Sequence, residues 1–209
     1  MTVKIGLISD VHATPGPLLA ALEIFQRQEV DMILCAGDIA GYGRELEQTI
    51  ALLIESNCRT IMGNHDLWQL SRSDDDVDGM AEQYLRTLPT VVELDVEEKS
   101  IYMVHASPPD SLMEGITLLD EKGGILQEQK GFWSDALKEF SCDVLVVGHT
   151  HQVFAEQLGQ VLVVNPGSCK FNHSCAILSL PEMQVEIMPL DGKSVVPSLS
   201  WAKGGPIYQ

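Results

Sequence analysis

The sequence predicts an α/β domain in which two packed β-sheets are flanked by helices, and two patterns in the chain support this prediction. In the first two-thirds of the 209 residues, short apolar runs alternate with segments of helical periodicity. In the last third, short apolar segments follow one another with only turn residues between them, which is typical of antiparallel strands. The chain length suits a single domain with a large buried core.

Six apolar runs are predicted to be buried strands, because each is short and stops at glycine or at polar residues. These runs cover residues 5–8, 32–35, 60–62, 101–104, 144–147 and 161–164. Two further strands are predicted over residues 175–180 and 184–188, with Pro181 in the turn between them. Residues 161–188 are therefore expected to form antiparallel strands.

Apolar residues three or four positions apart predict three helices, over residues 17–28, 45–55 and 134–140. Ser134 is the expected N-cap of the third. Residues 66–88 are predicted to form a helix, an acidic loop and a second helix. The long connection over residues 108–130 follows His105 directly, so it is expected to form a wall beside that residue.

Composition and charge exclude some classes of function. The formal net charge of −17 repels phosphate backbones, so broad nucleic-acid binding is not expected. A hydrophobic content of 45% and a mean hydropathy of +0.07 are typical of a soluble globular protein. No apolar stretch approaches the roughly 20 residues that span a bilayer, so no membrane association is expected. Self-association into a homo-oligomer is left open.

Cysteine usage and the N-terminus indicate the compartment. The five cysteines are odd in number and lack CxxC spacing, so a reducing environment is expected. The N-terminus runs straight into a predicted strand and has no signal-peptide pattern. These features predict a cytoplasmic protein.

Metal-binding side chains follow five of the predicted strands. They are Asp10 and His12, Asp38, Asn64 with His65 and Asp66, His105, and finally His149 and His151. Ligands in α/β sheets gather at the carboxyl ends of strands, so these residues are expected to converge. A single histidine after a strand is usually structural, but five such strand ends in one chain make coincidence a poor explanation.

The types of these side chains indicate which metals would bind. Imidazole nitrogens mixed with carboxylate oxygens suit Mn, Fe, Zn or Ni. Asp38 lies on a glycine-rich turn, and its carboxylate is able to bridge two ions. Asn64 offers a neutral oxygen. The set is sufficient for two metals that share one bridging ligand.

In this order, the segments DVH, GDIAGYG, GNHD, VHAS and GHTH resemble the signature blocks of the calcineurin-like metallophosphoesterases. The short length and the NPGS block at residues 165–168 resemble the small bacterial and archaeal phosphodiesterase branch. The resemblance covers residues 1–190 as a metallophosphoesterase domain and leaves residues 191–209 as a C-terminal tail. It implies a four-layer αββα sandwich of two mixed sheets, with a dinuclear metal site at the strand carboxyl ends.

The resemblance also implies a role for each residue of the motifs. One metal ion would be held by Asp10, His12 and His151, a second by Asn64, His105 and His149, and both by Asp38. His65 would face the substrate as a general acid or a charge stabiliser, and Asp66 would orient its imidazole. The implied cofactors are two divalent transition metal ions, with Mn favoured over Fe, Zn or Ni.

The predicted function is hydrolysis of a small phosphorylated substrate. A phosphodiesterase acting on a small or nucleotide-type substrate through a metal-bridging hydroxide is favoured. Two alternatives stay open: a phosphomonoesterase or phosphoprotein phosphatase, and a catalytically idle protein-binding scaffold of the same fold. Residues 169–173 depart from the pattern of many relatives, and Lys170 and Arg44 are candidate substrate contacts.

Overall fold

A computed structural model of the chain describes residues 2–72 and 79–199. Within these ranges the chain forms ten strands and five helices. The helices are α1 (Pro15–Arg27), α2 (Leu46–Glu55), α3 (Asn64–Arg72), α4 (Met80–Arg86) and α5 (Gln127–Ala136). The strands are β1 (Val3–Ile8), β2 (Met32–Cys35), β3 (Arg59–Thr60), β4 (Val91–Val96), β5 (Lys99–Val104), β6 (Val144–Val146), β7 (Val153–Leu158), β8 (Val161–Pro166), β9 (Ser174–Leu180) and β10 (Gln184–Pro189).

The strands form two mixed sheets of five strands each. The first has the order β10-β9-β1-β2-β3, and the second has the order β4-β5-β6-β8-β7. In the first sheet β1, β2 and β3 are parallel, and in the second β5, β6 and β8 are parallel. The remaining strands pair antiparallel to their neighbours. The carboxyl ends of three parallel strands therefore meet at one edge of each sheet.

Three buried clusters separate four layers, which confirms the predicted αββα sandwich. Between the sheets, Leu7 of β1 packs in the same cluster as Val144 and Val146 of β6. Phe25 of α1 lies in the cluster that covers the outer face of the first sheet. Leu145 points the opposite way from its β6 neighbours, into the cluster on the outer face of the second sheet.

The prediction for the third helix is wrong in position. The helix is α5, and it ends at Ala136, where the prediction had it just beginning. Ser134 is not an N-cap but lies inside the helix, where its hydroxyl donates to the carbonyl of Lys130 at 2.7 Å. No residue of α5 is buried, whereas Leu137 just beyond it is 4% exposed. The apolar pattern over residues 134–140 therefore reflects the turn after the helix, in which Leu137 is buried.

The pairing predicted for the last third is partly wrong. Strands β9 and β10 form the expected hairpin, but β8 lies in the other sheet and pairs parallel with β6.

The predicted helices of segment 66–88 are present as α3 and α4, and the acidic loop between them lies outside the described residues. Of the predicted tail, Val196 hydrogen-bonds Asn172 in both directions, and residues 200–209 lie outside the described residues. Among the described residues, no helix combines the length and apolar character needed to cross a membrane.

Candidate metal centre

The metal-ligand candidates all lie where parallel strands end. Asp10 and His12 follow β1, Asp38 follows β2, Asn64 follows β3, His105 follows β5, and His149 and His151 follow β6. The contributing strand ends of the two packed sheets face one region, so both sheets supply ligands to it. The convergence expected from the sequence is present in the structure.

Interatomic distances define two adjoining groups of ligand atoms. Ligand atoms of Asp10, His12 and His151 lie within 4.8 Å of one another, as do those of Asp10, Asp38 and His105. On the far side, Asn64 Oδ1 lies 3.0 Å from His105 Nε2 and 2.9 Å from His149 Nδ1. Asp38 thus lies between the residues predicted to hold the first ion and those predicted to hold the second.

Lone pairs face one another in this cluster, which fits a site for cations. His12 Nδ1 and His105 Nδ1 donate to the carbonyls of Ala40 and Ala36, at 2.9 and 2.7 Å. In the neutral rings each Nε2 is then an acceptor, and His12 Nε2 lies 3.2 Å from His151 Nε2. Asp10 Oδ1 is buried and lies 3.1 Å from the same His151 Nε2. Acceptor atoms this close together repel one another unless a proton or a metal ion lies between them.

The buried charges support the same conclusion. Asp10 and Asp38 are 0% and 2% exposed, and two carboxylates this close repel each other strongly. Burial lowers the pKa of His105, but the Asp38 and Asp10 carboxylates outweigh burial and raise it to about 9. Burial lowers the pKa of His12 to about 4, which keeps this imidazole in the neutral form that binds metals.

Five of the predicted ligands have a left-handed backbone. The φ angles are 52° at Asp10, 51° at His12, 56° at Asp38, 66° at His149 and 48° at His151. This region is uncommon for residues other than glycine, and such strain persists only where the surroundings enforce it. Cross-loop hydrogen bonds enforce it here, since Asp10 N–H donates to Gly37 and His12 N–H donates to Asp38, both at 3.0 Å.

A cavity of about 260 Å³ opens onto this cluster. It is lined by Asp38, Tyr42, Asn64, His65, Trp68, His149 and His151. The half-buried His65 forms part of the wall, with its ring 4.8 Å from the rings of both Tyr42 and Trp68. A ligand atom of His65 also lies within 4.8 Å of those of His12 and Asp38, so its role beside the metals stays a prediction.

The hydrogen bonds of Asp66 favour a role different from the one predicted. Its carboxylate accepts hydrogen bonds from the backbone N–H groups of Asp38, Ala40 and Gly63, at 3.0, 2.7 and 2.9 Å. Within the described residues no hydrogen bond joins Asp66 to the His65 ring. Burial and the Asp38 carboxylate raise the pKa of Asp66 to about 7, against the effect of these N–H donors. Asp66 therefore ties the loop that carries Asp38 to the start of α3.

Replacing Asp66 by asparagine is expected to weaken metal binding. The amide offers one oxygen where two now accept, so at least one of the three buried N–H groups is left unpaired. Changes to groups that support metal ligands typically reduce metal affinity by roughly 10- to 100-fold. Calorimetric titration of Mn²⁺ into the variant measures this. Wild-type metal affinity with a fall in kcat alone would contradict the loop role and support the orienting role that the sequence suggested.

Several supporting residues were not predicted from the sequence. Ser9 Oγ donates to Asp10 Oδ2 at 2.6 Å, and Ser168 Oγ donates to the carbonyl of Asp10 at 2.6 Å. A side-chain Cβ at Gly63 would lie 2.1 Å from Asp38 Oδ1, so only glycine fits beneath that carboxylate. The NPGS block was the sequence signal for Ser168, because this serine follows β8, and β8 lies beside β6 and runs parallel to it.

The two cationic candidates lie in different places. Lys170 Nζ lies 5.9 Å from the centroid of the Tyr42 ring and 5.2 Å from that of Phe171, beside the cavity. Arg44 lines a separate cavity together with Gln69 and Glu82. Lys170 is therefore the better placed of the two to meet a substrate.

Comparisons with known proteins confirm the family resemblance. A family model described as the calcineurin-like phosphoesterase superfamily domain matches residues 3–182. A protein of Methanocaldococcus jannaschii named as a phosphodiesterase is 23% identical over 169 residues, which cover 80% of this chain and 84% of the relative. The crystal structure of a metallophosphoesterase from Sphaerobacter thermophilus superposes with a TM-score of 0.71 at 24% identity, covering 91% of this chain and 89% of that one.

A second relative aligns over a shorter region. It is an uncharacterized protein of Methanocaldococcus jannaschii that is 28% identical over 120 residues. The aligned region is 50% of this chain and 49% of the relative, so the match spans about half the length of that protein.

Proposed function

The chain belongs to the calcineurin-like phosphoesterase superfamily, and from this we propose that it is a phosphodiesterase that uses two divalent metal ions. Metal-dependent hydrolysis of phosphoesters is the activity that family membership supports. The observation that carries the proposal is the position of the Asp38 carboxylate between two groups of buried ligand atoms. A single carboxylate in that position suits two ions and has no evident use with one.

The proposed roles of the residues are those that the family resemblance implies, and the distances above support them. Asp10, His12 and His151 would hold one ion, Asn64, His105 and His149 the other, and Asp38 both. Two such ions supply Lewis acidity that lowers the pKa of a water molecule and neutralises charge on the phosphoryl oxygens. His65 lies in the cavity wall, from which its imidazole can donate to the leaving oxygen.

The cavity favours a diester over a monoester. A phosphodiester carries one negative charge, whereas a monoester carries nearly two and is often clamped by arginine. The seven residues found to line the cavity include neither arginine nor lysine. The name of the phosphodiesterase relative supports the same preference. Phosphomonoester hydrolysis is the second candidate, because Lys170 beside the cavity offers one cation for a second charge.

A scaffold function is a weaker explanation of the site. A protein-binding scaffold of this fold needs its surface but has no need of buried carboxylate acceptors as close together as those of Asp10 and Asp38. Such acceptors destabilise the chain unless a cation binds them. The retained ligand set therefore supports catalysis over an idle site.

Activity is expected to depend on metal and to prefer diesters. Protein treated with EDTA and then freed of it should not hydrolyse bis(p-nitrophenyl) phosphate, and Mn²⁺ should restore the rate at least as well as Fe²⁺, Zn²⁺ or Ni²⁺. The rate with p-nitrophenyl phosphate, which shares the leaving group, should be lower. Activity that survives chelation would contradict the metal site, and faster monoester hydrolysis would instead favour the phosphatase alternative.

We also propose a cytoplasmic location. All five cysteines are free thiols, and Cys35, Cys169 and Cys175 are buried. A chain that keeps several thiols unpaired suits a reducing compartment.

A further inference from the structure

Five rings form a continuous wall at the metal centre, and one of them, His151, is itself a predicted ligand. Neighbouring centroids are 4.8 Å apart from Trp68 to His65, 4.8 Å from His65 to Tyr42, 5.3 Å from Tyr42 to Phe171, and 5.3 Å from Phe171 to His151. These separations are those of aromatic rings in direct contact. This set is called the aromatic wall below.

The chain brings the aromatic wall together from distant segments. His65 and Trp68 lie three residues apart on α3, so their side chains are neighbours on one face of that helix. Tyr42 comes from the glycine-rich loop after β2, where its φ is 55°. Phe171 comes from the segment after β8, and its ring stacks on that of His151 at an interplanar angle of 24°.

The two exposed rings of the wall, Trp68 and Tyr42, face the same cavity as the metal ligands. Trp68 and Tyr42 line that cavity with Asp38 and Asn64, yet Trp68 is 38% exposed and Tyr42 is 50% exposed. Rings that serve only the core are buried, whereas these two keep a large part of their surface accessible beside a polar site. The aromatic wall lies close to the metal ligands. The His65 ring is part of the wall, and one of its nitrogen atoms lies within 4.8 Å of the metal-binding atoms of His12 and Asp38.

We propose that the aromatic wall, through Trp68 and Tyr42, binds a planar aromatic substituent of the phosphodiester whose phosphoryl group lies against the metal ligands. The inference rests on the proposed function and narrows its substrates to aryl and nucleoside phosphodiesters. Stacking of a planar ring on an aromatic side chain commonly changes affinity by about tenfold or more. A saturated ring of equal size gains apolar contact but cannot stack flat on the wall.

Binding of phosphinates tests the wall without turnover, because a phosphinate has the single charge of a diester and no ester bond to break. Benzyl(methyl)phosphinate and cyclohexylmethyl(methyl)phosphinate form a matched pair that differs in ring planarity. Calorimetry on the Mn²⁺-loaded full chain should show the benzyl ligand binding about tenfold more tightly. The Trp68→Leu variant should reduce that ratio to about two or less, with unchanged metal content and melting temperature. Tyr42→Leu, on the loop after β2, is a second, independent variant, and it should also lower the ratio.

The exposed Phe132 of α5 provides a matched control, since it is 61% exposed and stands apart from the cavity lining. Phe132→Leu should leave the ratio unchanged. A third ligand distinguishes a nucleoside substituent from a simple aryl one. It is 5′-deoxyadenosine carrying a methylphosphinate group whose phosphorus is bonded directly to C5′. Tighter binding than the benzyl ligand supports a nucleoside substituent, and weaker binding supports an aryl one.

Equal affinities for the benzyl and cyclohexylmethyl ligands in the wild type would overturn the inference. A preference that survives in both Trp68→Leu and Tyr42→Leu would also overturn it. A planar preference that depends on Trp68, in a protein that hydrolyses no diester, would sustain the wall and refute the proposed function instead.

Discussion

Replacing Asp38 by asparagine is expected to remove about nine-tenths or more of the phosphodiesterase activity while the fold stays intact. Asparagine has almost the same volume, and its amide oxygen can still accept the hydrogen bond that Asp38 Oδ1 receives from the His65 N–H at 2.8 Å. What is lost is the negative charge between the two groups of ligand atoms. A neutral amide bridges two cations poorly, so the second ion should bind weakly.

Thermal unfolding separates this loss from a general defect. Without metal, Asp38→Asn removes both the repulsion from the buried Asp10 carboxylate and the attraction to His105, whose Nε2 lies 3.5 Å from Asp38 Oδ1, so the variant should remain folded with a melting temperature close to that of the wild type. Added Mn²⁺ should raise the melting temperature of the variant less than that of the wild type, because ligand binding stabilises in proportion to affinity. Asp95→Asn on the exposed face of β4 makes the same chemical change and should alter neither quantity. A variant that keeps a tenth of the rate or more would show that Asp38 is not the bridge.

Replacing His65 by alanine is expected to lower kcat by roughly 10²-fold or more without loss of metal. In the proposed mechanism the imidazole donates to the leaving oxygen from the cavity wall and holds no ion. The loss should be largest for esters of poorly acidic alcohols and smallest for p-nitrophenyl esters, whose leaving group needs little protonation. Steady-state kinetics across a series of leaving groups, with metal content measured on the same samples, checks both parts.

Two results would change the assignment of His65. A parallel loss of bound metal would make it a ligand, which its position within 4.8 Å of ligand atoms of His12 and Asp38 allows. Equal losses for good and poor leaving groups would remove the general-acid role and leave stabilisation of charge. His173→Asn is a suitable control and should change neither kcat nor metal content. His173 lies outside the motifs, and asparagine tolerates its φ of 55°.

Most strands that carry the site were predictable because their last residues are buried on both faces and so appear as short apolar runs. β6 is fully buried, and its Val144 and Leu145 face two different cores. The edge strands β4 and β7 were missed because polar residues interrupt their apolar residues, namely Glu93 and Asp95 in β4 and Glu156 and Gln157 in β7. The parallel pairing of β8 with β6 was also missed, since a run of apolar residues shows that a strand is buried and not which partner it has.

The ligands of the site were predictable because each follows a recognisable strand, whereas relations between neighbouring side chains were not. Asp66 follows His65 directly, which suggested contact between them. On a helix, however, consecutive side chains point in different directions. Asp66 accordingly points down to the backbone of the Asp38 loop, while His65 points into the cavity. The contact between Tyr42 and Phe171 joins loops far apart in the chain and depends on the tertiary fold.

Anomalous diffraction from a crystal of the Mn²⁺-loaded protein, recorded at the manganese edge, tests the central claim most directly. Two strong peaks per chain are expected, one among Asp10, His12 and His151 and the other among Asn64, His105 and His149, with the Asp38 carboxylate contacting both. A single peak, or two peaks that Asp38 does not join, would contradict the dinuclear site.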